Sequence, residues 1–183
     1  RFKPYFKNKG GITFSGGEPL LQKEFLLETL KLCKIEGLHT CVDTAGFGIG
    51  GYDEILQYTD LVLFDVKHYT PEGYKLVTGQ NIDESLRFMD ALKKAKTPLW
   101  IRHVVVPGLT DSEEHLQGLA DYIQTLNSEY DIKKVELLPY HVLGKEKYHR
   151  LQIPYKLEDT APMDPAITKS WQDKINHMLL HTD

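Results

Sequence analysis

The residue pattern best suited to chemistry lies in residues 10–22, which read G-G-I-T-F-S-G-G-E-P-L-L-Q. A short β-branched and aromatic run ends there in Gly16 and Gly17, where no Cβ prevents another molecule from approaching the backbone closely. Glu18 adds a carboxylate that can accept hydrogen bonds from an ammonium group. Pro19 stops the strand and favours the start of a helix. The pattern indicates a ligand site, although a tight strand-to-helix turn without a ligand would use the same residues.

Further candidate residues stand at or near the ends of other β-rich runs. They are Asp43 and Thr44, then Asp65, Val66 and Lys67, then Arg102, and finally His141. In parallel α/β folds, ligands bind at the carboxyl ends of the strands. The side chains of Asp43, Asp65, Lys67 and His141 can therefore share one cavity.

Each of these candidates also has a purely structural interpretation. Asp43 and Thr44 suit a turn or a helix cap. Asp65 and Lys67 are two residues apart, so they face the same side of a strand and could form only an ion pair. A polar pair within an apolar strand still needs a reason, because burial without a partner costs about 2 kcal/mol or more. His141 could be a structural histidine whose hydrogen bonds are satisfied.

Composition limits the classes of partner. The 183 residues suit one domain, and 41% apolar with 26% charged residues is typical of a globular protein. A net charge of −4 gives no electrostatic argument for binding nucleic acid or an anionic membrane. No apolar run approaches the ~20 residues of a membrane span. We therefore expect no nucleic-acid partner and no membrane, and a cytoplasmic location.

Cys33 and Cys41 are the only cysteines of the chain. Their spacing, without a third cysteine or a neighbouring histidine pair, does not match a metal-binding motif. Two cysteines in a chain of this length favour a reducing compartment and free thiols. We predict that both thiols pack in the core.

Short β-rich runs alternate with helical patterns along the chain, which predicts an α/β fold with parallel strands joined by right-handed crossovers. The strands are predicted at residues 11–15, 39–43, 61–66, 99–106 and 134–139. The helices are predicted at residues 22–36, 82–95 and 113–126, and from Asp164 onward. Each has apolar residues at helical spacing that predict its buried face: Leu26, Leu30 and Cys33 in the first; Leu86, Met89 and Leu92 in the second; Leu116, Leu119, Ala120, Ile123 and Leu126 in the third; and Ile167, Trp171, Ile175 and Met178 in the last. Thr110 with Glu113 predicts a capping box for the third helix. Residues 144–163 are predicted to form an irregular surface loop.

Five motifs of this chain, in this order, resemble the pyruvate formate-lyase activating enzymes. The motifs are S-G-G-E-P-L-L-Q, H-T-C-V-D-T-A-G-F, D-L-V-L-F-D-V-K, W-I-R-H-V-V-V-P-G and E-L-L-P-Y-H-V-L-G-K-E-K-Y. That family belongs to the radical S-adenosylmethionine superfamily and activates glycyl-radical enzymes. The similarity runs over residues 5–180. It implies a partial (β/α)6, TIM-like barrel, here truncated to about five βα units in one domain over residues 1–183.

The resemblance also implies two cofactors and a partner. In this family a [4Fe–4S] cluster reduces S-adenosylmethionine to methionine and a 5′-deoxyadenosyl radical. The radical takes a hydrogen atom from a glycine of the partner, here pyruvate formate-lyase or a related glycyl-radical enzyme. The cofactor chemistry needs a closed cavity away from water.

The resemblance assigns S-adenosylmethionine contacts by motif position. Gly16, Gly17 and Glu18 would meet the amino end of its methionine portion. Asp65, Val66 and Lys67 would line its carboxylate and ribose, and His141 would contact its nucleoside. Asp43 and Thr44 with Asp65 would hold a cation beside the carboxylate, and Arg102 is a further candidate contact.

One departure from the family is large, because the family binds its cluster through a C-x3-C-x2-C loop that this sequence lacks. Either the chain is a piece of a longer parent that carries the cluster, or the natural protein has lost the cluster. We expect the first, and expect the piece itself to be inactive. Loss of the preceding strand would expose residues 11–15 as a sheet edge prone to self-association. Ala45, where small polar residues are common in the family, is a milder departure.

Two other functions remain open from the sequence. Lys67 at a strand end could be the nucleophile of a Schiff-base lyase. The barrel mouth could also be a non-catalytic site for a peptide or protein.

Overall fold

The computed structural model describes residue 6 and residues 10–180, except the side chain of residue 147. Its strands form one sheet in the order β1-β2-β3-β4-β5. The first four strands pair in parallel, with Phe14 opposite Val42 and Asp65 opposite Arg102. Within the described residues β1 and β5 are not neighbours, so the sheet is open there. The strands are β1 (Gly11–Phe14), β2 (His39–Thr44), β3 (Leu61–Asp65), β4 (Leu99–Val105) and β5 (Ile132–Pro139).

The strands alternate with helices, which confirms the predicted α/β class. The α-helices of the described residues are α1 (Lys23–Ile35), α2 (Tyr52–Leu56), α3 (Pro71–Thr78), α4 (Asp83–Ala95), α5 (Glu113–Asn127), α6 (Lys145–Arg150) and α7 (Pro165–Leu180). Short 3-10 helices cover Pro19–Gln22 and Val142–Gly144. The predicted helices correspond to α1, α4, α5 and α7. None of the described helices is long and apolar enough to cross a membrane.

The sequence did not reveal α2, α3 and α6, and the prediction of a wholly irregular loop over residues 144–163 is wrong where α6 forms. α6 shows no apolar stripe. It is only about one and a half turns long. Arg150 Nη2 lies 2.5 Å from Glu146 Oε1, and the two residues are one helical turn apart, so they form an ion pair along the helix. Such local pairs stabilise a helix without leaving a hydrophobic pattern to be read.

By their internal contacts the residues divide into two compact units. The first comprises Arg1–Arg102 and Thr125–Val135. Leu26, Leu30 and Cys33 of α1 are buried in its core, as predicted. In α4, Met89 and Leu92 are buried as expected, but Leu86 is 45% exposed, because Phe88 occupies the buried face instead.

The second unit comprises His103–Gln124 and Glu136–Asp183. The apolar stripe predicted for α5 is buried in the core of this unit. It includes Leu116, Leu119 and Ile123. In α7, Trp171 and Ile175 are buried, whereas Ile167 is 46% exposed, contrary to the prediction.

The predicted capping residue of α5 is wrong. The Thr110 hydroxyl instead closes the preceding turn, donating to the Val104 carbonyl at 3.1 Å and accepting from the Val106 N–H at 2.8 Å. Ser112 caps the helix, because its hydroxyl oxygen accepts from the His115 N–H at 3.0 Å. The helix therefore begins with the nearer of two hydroxyl residues.

β1 is an edge strand within the described residues, since β2 is its one neighbour there. Thr13 on this strand and Ser15 just after it are exposed. Self-association through this edge remains a prediction.

Candidate functional site

A cavity of about 280 Å³ lies in the first unit, where β1, β2 and β3 end and at Arg102 of β4. Eight of the ten site residues predicted from the sequence line it, together with two that were not predicted. The lining residues are Ser15, Gly16, Gly17, Glu18, Asp43, Thr44, Ala45, Asp65, Lys67 and Arg102. The carboxyl edge of the sheet therefore brings the predicted set together, as expected for a parallel α/β fold.

Gly16 and Gly17 give the cavity an open backbone wall. Their φ angles are +93° and +62°, a region that residues with a Cβ rarely adopt. A Cβ built on either residue would have no atom within 4 Å. The glycines are thus required by the turn, and their peptide groups can contact a ligand directly.

Glu18 is held in place by three donors. One carboxylate oxygen accepts from the Leu20 N–H at 3.2 Å and from the Thr44 hydroxyl at 2.5 Å. The other accepts from the Ala45 N–H at 3.0 Å. Two carboxylate oxygens offer about four acceptor positions, so one remains. No cation of the described residues forms a salt bridge with Glu18.

Asp43, Asp65, Lys67 and Arg102 form a charged cluster beside Glu18. The Arg102 Nε and Nη2 atoms donate to Asp65 Oδ1 at 2.9 and 2.8 Å, and Nη2 also contacts Asp43. Lys67 Nζ lies 3.0 Å from the other Asp65 oxygen. Burial alone would lower the pKa of Arg102, but the two carboxylates outweigh it and raise that pKa.

The accessibility of the two cations differs. The Arg102 side chain is 17% exposed and is bound by two carboxylates, whereas that of Lys67 is 34% exposed and bound by one. An ammonium group carries three donors, so Lys67 can still bind a second anion. Three carboxylates and two cations give the cavity a formal charge of −1, which suits a ligand with a net positive charge.

The three residues predicted to hold a cation, Asp43, Thr44 and Asp65, already bind other groups of the chain. Arg102 already bridges the two carboxylates, and the Thr44 hydroxyl already donates a hydrogen bond to Glu18. Within the described residues, no group of three or more His, Cys, Asp or Glu side chains could hold a metal ion. The cation therefore remains a prediction.

Val66 and His141 are the two predicted site residues that do not line the cavity. Val66 is buried, and its N–H donates to the Arg102 carbonyl at 2.9 Å, extending the pairing of β3 with β4. His141 is an exposed residue of the second unit, two residues after the end of β5. Their roles toward a cofactor remain predictions.

Cys33 and Cys41 are both free and buried, as predicted. Burial raises the pKa of each thiol, so the thiolate form needed for metal binding is disfavoured.

A larger hollow of about 600 Å³ lies at the other edge of the first unit, lined by residues that include Asp60 and Thr59 before β3, Pro98 before β4, and Lys94 of α4. It has no glycine in its lining, and the carboxylate of Asp60 there is already paired with the ammonium of Lys34. Size alone therefore does not identify the functional site.

The comparison with protein families gives the class of protein. The model described as the radical SAM superfamily matches residues 1–120, well over half of the chain. The chain is therefore a member of the radical SAM superfamily.

Curated relatives narrow the class. A pyruvate formate-lyase-activating enzyme of Clostridium pasteurianum is 49% identical over 98% of this chain and 74% of its own length. One of Staphylococcus epidermidis is 40% identical over 96% of this chain and 72% of its own length. The chain belongs to the pyruvate formate-lyase-activating enzymes of the radical SAM superfamily. This family implies S-adenosylmethionine and a [4Fe–4S] cluster as cofactors.

Solved structures agree with the fold. A domain of the pyruvate-formate lyase-activating enzyme from Bacteroides vulgatus has a TM-score of 0.69 at 24% identity, covering 93% of both chains. Streptococcus suis SuiB bound to S-adenosylmethionine has a TM-score of 0.63 at 15% identity, covering 97% of this chain and 38% of that one. These likenesses support the predicted partial-barrel class.

Proposed function

We propose that this chain provides the S-adenosylmethionine site of an activase that generates a glycyl radical on pyruvate formate-lyase. One observation carries the proposal: Glu18 is fixed by three donors, yet no cation of the described residues is paired with it. A partly buried carboxylate with no counter-charge and one remaining acceptor position suits the ammonium group of a ligand.

The charges of the cavity fit the methionine portion of S-adenosylmethionine. The ammonium would bind Glu18, and the carboxylate would bind Lys67, which keeps free donors beside its pair with Asp65. The ammonium, carboxylate and sulfonium of the ligand sum to +1, opposite to the −1 of the cavity. The open peptide groups of Gly16 and Gly17 admit the chain of the amino acid close to the backbone.

Asp65 and Arg102 act on the ligand through Lys67 in this arrangement. Asp65 shares one oxygen with Arg102 and the other with Lys67, so it fixes the position of the lysine ammonium. Arg102 in turn keeps Asp65 from pairing more closely with the ligand ammonium, because its guanidinium already balances that charge.

The size of the cavity indicates which part of the ligand it holds. About 280 Å³ is slightly below the usual range of about 300–1,000 Å³ for small-molecule sites. We therefore assign it to the amino-acid end of the cofactor. The nucleoside would extend beyond this cavity, and His141 remains the proposed nucleoside contact.

The cluster is a different case. When bound, a [4Fe–4S] cluster supplies the electron for reductive cleavage of S-adenosylmethionine, and the partner glycine then loses a hydrogen atom. Clusters of this kind are held by cysteine thiolates. The described residues include only the two buried, separate thiols of Cys33 and Cys41, which do not fit the group. What this chain contributes is therefore cofactor binding, and by itself it would not activate the partner.

Calorimetric titration of the chain with S-adenosylmethionine tests the proposal. We expect saturable binding of one ligand per chain, and competition by free methionine, because the cavity is assigned to the methionine end. Competition by adenosine but not by methionine would overturn the assignment.

The partner reaction needs a separate test. With pyruvate formate-lyase, iron, sulfide, S-adenosylmethionine and a reductant under anaerobic conditions, we expect no glycyl radical by electron paramagnetic resonance. A radical signal would show that the chain is complete as an activase. The geometry gives no observation in favour of the Schiff-base alternative, since Lys67 Nζ is bound to the Asp65 carboxylate.

A further inference from the structure

We propose that Ser85, which lies on a helix outside the cavity lining, is a positioning residue for Glu18 and sets the preference of the site for a ligand with an α-ammonium group. The ligand named in this inference rests on the proposed function, whereas the positioning of Glu18 does not.

The link begins at the loop after β2. Ser85 is a buried residue of α4, and its hydroxyl donates to the Ala45 carbonyl at 3.0 Å. The same planar peptide carries the Gly46 N–H, which donates to Thr44 Oγ1 at 2.8 Å. Both polar atoms of the Ala45–Gly46 peptide are therefore bound, and its orientation is fixed.

This peptide determines where the Thr44 hydroxyl points. Because the Gly46 N–H occupies a lone pair of Thr44 Oγ1, the hydroxyl proton is directed to the Glu18 carboxylate, 2.5 Å away. The Ala45 N–H, on the other side of the same loop, donates to the second Glu18 oxygen. Two of the three donors to Glu18 thus depend on a loop that Ser85 anchors.

Packing keeps the loop rigid. Gly46 has a φ of +77°, and a Cβ on it would lie 3.0 to 3.2 Å from Phe64, Phe88 and Ser85. Contacts of that length are tighter than nearly all real Cβ contacts, so this stretch of backbone sits directly against the core and has little room to rotate.

The consequence is chemical selectivity. With the loop fixed, the donors to Glu18 occupy three of its acceptor positions and leave one position on the cavity side. If the Ala45–Gly46 peptide turned, the Thr44 hydroxyl would be released and the Glu18 carboxylate would lose its fixed orientation. The ammonium of the ligand would then meet a mobile acceptor, whereas ligand groups bound elsewhere would be unaffected.

The variant Ser85→Ala tests the inference, because it removes the hydroxyl that anchors the Ala45 carbonyl. The matched control is Thr59→Ala, because Thr59 is also buried in the first unit and donates its hydroxyl to a carbonyl, that of Ile55, at 2.9 Å. The probes are S-adenosylmethionine and 5′-methylthioadenosine, which lacks the amino-acid tail. Titration calorimetry gives the affinities and thermal melting gives the stabilities.

We expect Ser85→Ala to weaken S-adenosylmethionine binding by about 3- to 10-fold, the range of one hydrogen bond. Binding of 5′-methylthioadenosine should be unchanged in this variant. Thr59→Ala should lower the melting temperature similarly without changing either affinity. Equal weakening of both probes, or unchanged S-adenosylmethionine affinity in Ser85→Ala, would overturn the inference.

Amide hydrogen exchange provides a readout that needs no ligand. Exchange at the Ala45 and Gly46 amides should quicken in Ser85→Ala and remain unchanged in Thr59→Ala. If the unmodified chain failed to bind S-adenosylmethionine, the proposed function would fail, while quickened exchange at these two amides would still support the positioning of Glu18. Unchanged exchange would refute it.

Discussion

Glu18 lies at the carboxyl ends of the strands of the first unit, and Asp60 lies at their amino ends. The two carboxylates are held in similar ways. Each carboxylate accepts from a backbone N–H and from a threonine hydroxyl: Glu18 from Thr44, and Asp60 from Thr40 at 3.1 Å. The difference lies in the counter-charge. Asp60 is paired with the ammonium of Lys34, whereas Glu18 has no such cation within the described residues.

The difference separates a structural carboxylate from one prepared for a ligand. Lys34, Thr40 and Asp60 tie the end of α1 to β2 and to the turn before β3, and every charge in that set is balanced internally. Glu18 is fixed as firmly but lacks its balancing charge, which is unfavourable for a partly buried group. Binding of an ammonium would supply it. The proposed ligand site is therefore distinguished by an incomplete set of charges and not by the size of its hollow.

The largest expected effect comes from neutralising each carboxylate in turn. Glu18→Gln should weaken S-adenosylmethionine binding by about 10- to 100-fold, since a hydrogen bond to a charged group contributes about 1.5–3 kcal/mol. Asp60→Asn should leave that affinity unchanged and lower the free energy of unfolding by about 1 kcal/mol, a modest figure because the pair is partly exposed to solvent. Calorimetry and urea unfolding measure the two quantities. If Asp60→Asn weakened ligand binding and Glu18→Gln lowered only the free energy of unfolding, the distinction between the two carboxylates would be wrong.

Removing the lysine ammonium beside the proposed ligand site should have a smaller effect on ligand affinity. Lys67→Met should weaken S-adenosylmethionine binding by about 3- to 10-fold through loss of a carboxylate contact. Binding of decarboxylated S-adenosylmethionine should not change. Lys34→Met is the matched control, because it removes the same charge at the other edge and should reduce stability alone. Equal loss of affinity for both ligands in Lys67→Met would show that Lys67 only supports the fold.

Much of this arrangement could be predicted from local sequence. The Gly16-Gly17-Glu18 turn and the polar residues at strand ends carry recognisable patterns, and parallel strands place their carboxyl ends at one edge. The alternation of strands and helices likewise predicted the α/β class. These features depend on residues close together in the chain or on the general topology.

The partners of each side chain could not be predicted in the same way. Arg102 reaches Asp43, 59 residues away, because β3 and β4 pair in the register that sets Asp65 opposite Arg102. A shift of one residue would turn these side chains to the other face. The same holds for Ser85, whose contact with Ala45 spans 40 residues and leaves no local signal. Ala45 contributes only backbone atoms to its partners, so its residue type says nothing about its role.

The smallest expected effect sharpens the comparison through pH. Burial alone would raise the pKa of Asp60, but the Lys34 ammonium and the hydrogen bonds from Thr40 outweigh it and lower that pKa below its ordinary value of 3.8. A carboxyl group whose pKa is lower in the folded state stabilises the protein fully above its ordinary value, and this stability is lost as pH falls through the folded-state pKa. The free energy of unfolding should therefore fall below about pH 3.8 by a component that Asp60→Asn removes. Lys34→Met should shrink that component without abolishing it, because the Thr40 hydrogen bonds remain. Urea unfolding of the three proteins between pH 5 and pH 2 measures it, as a difference in slope against pH. If Lys34→Met and the unmodified chain lost stability in parallel, Lys34 would not balance Asp60, and the contrast between the two carboxylates would rest on Glu18 alone.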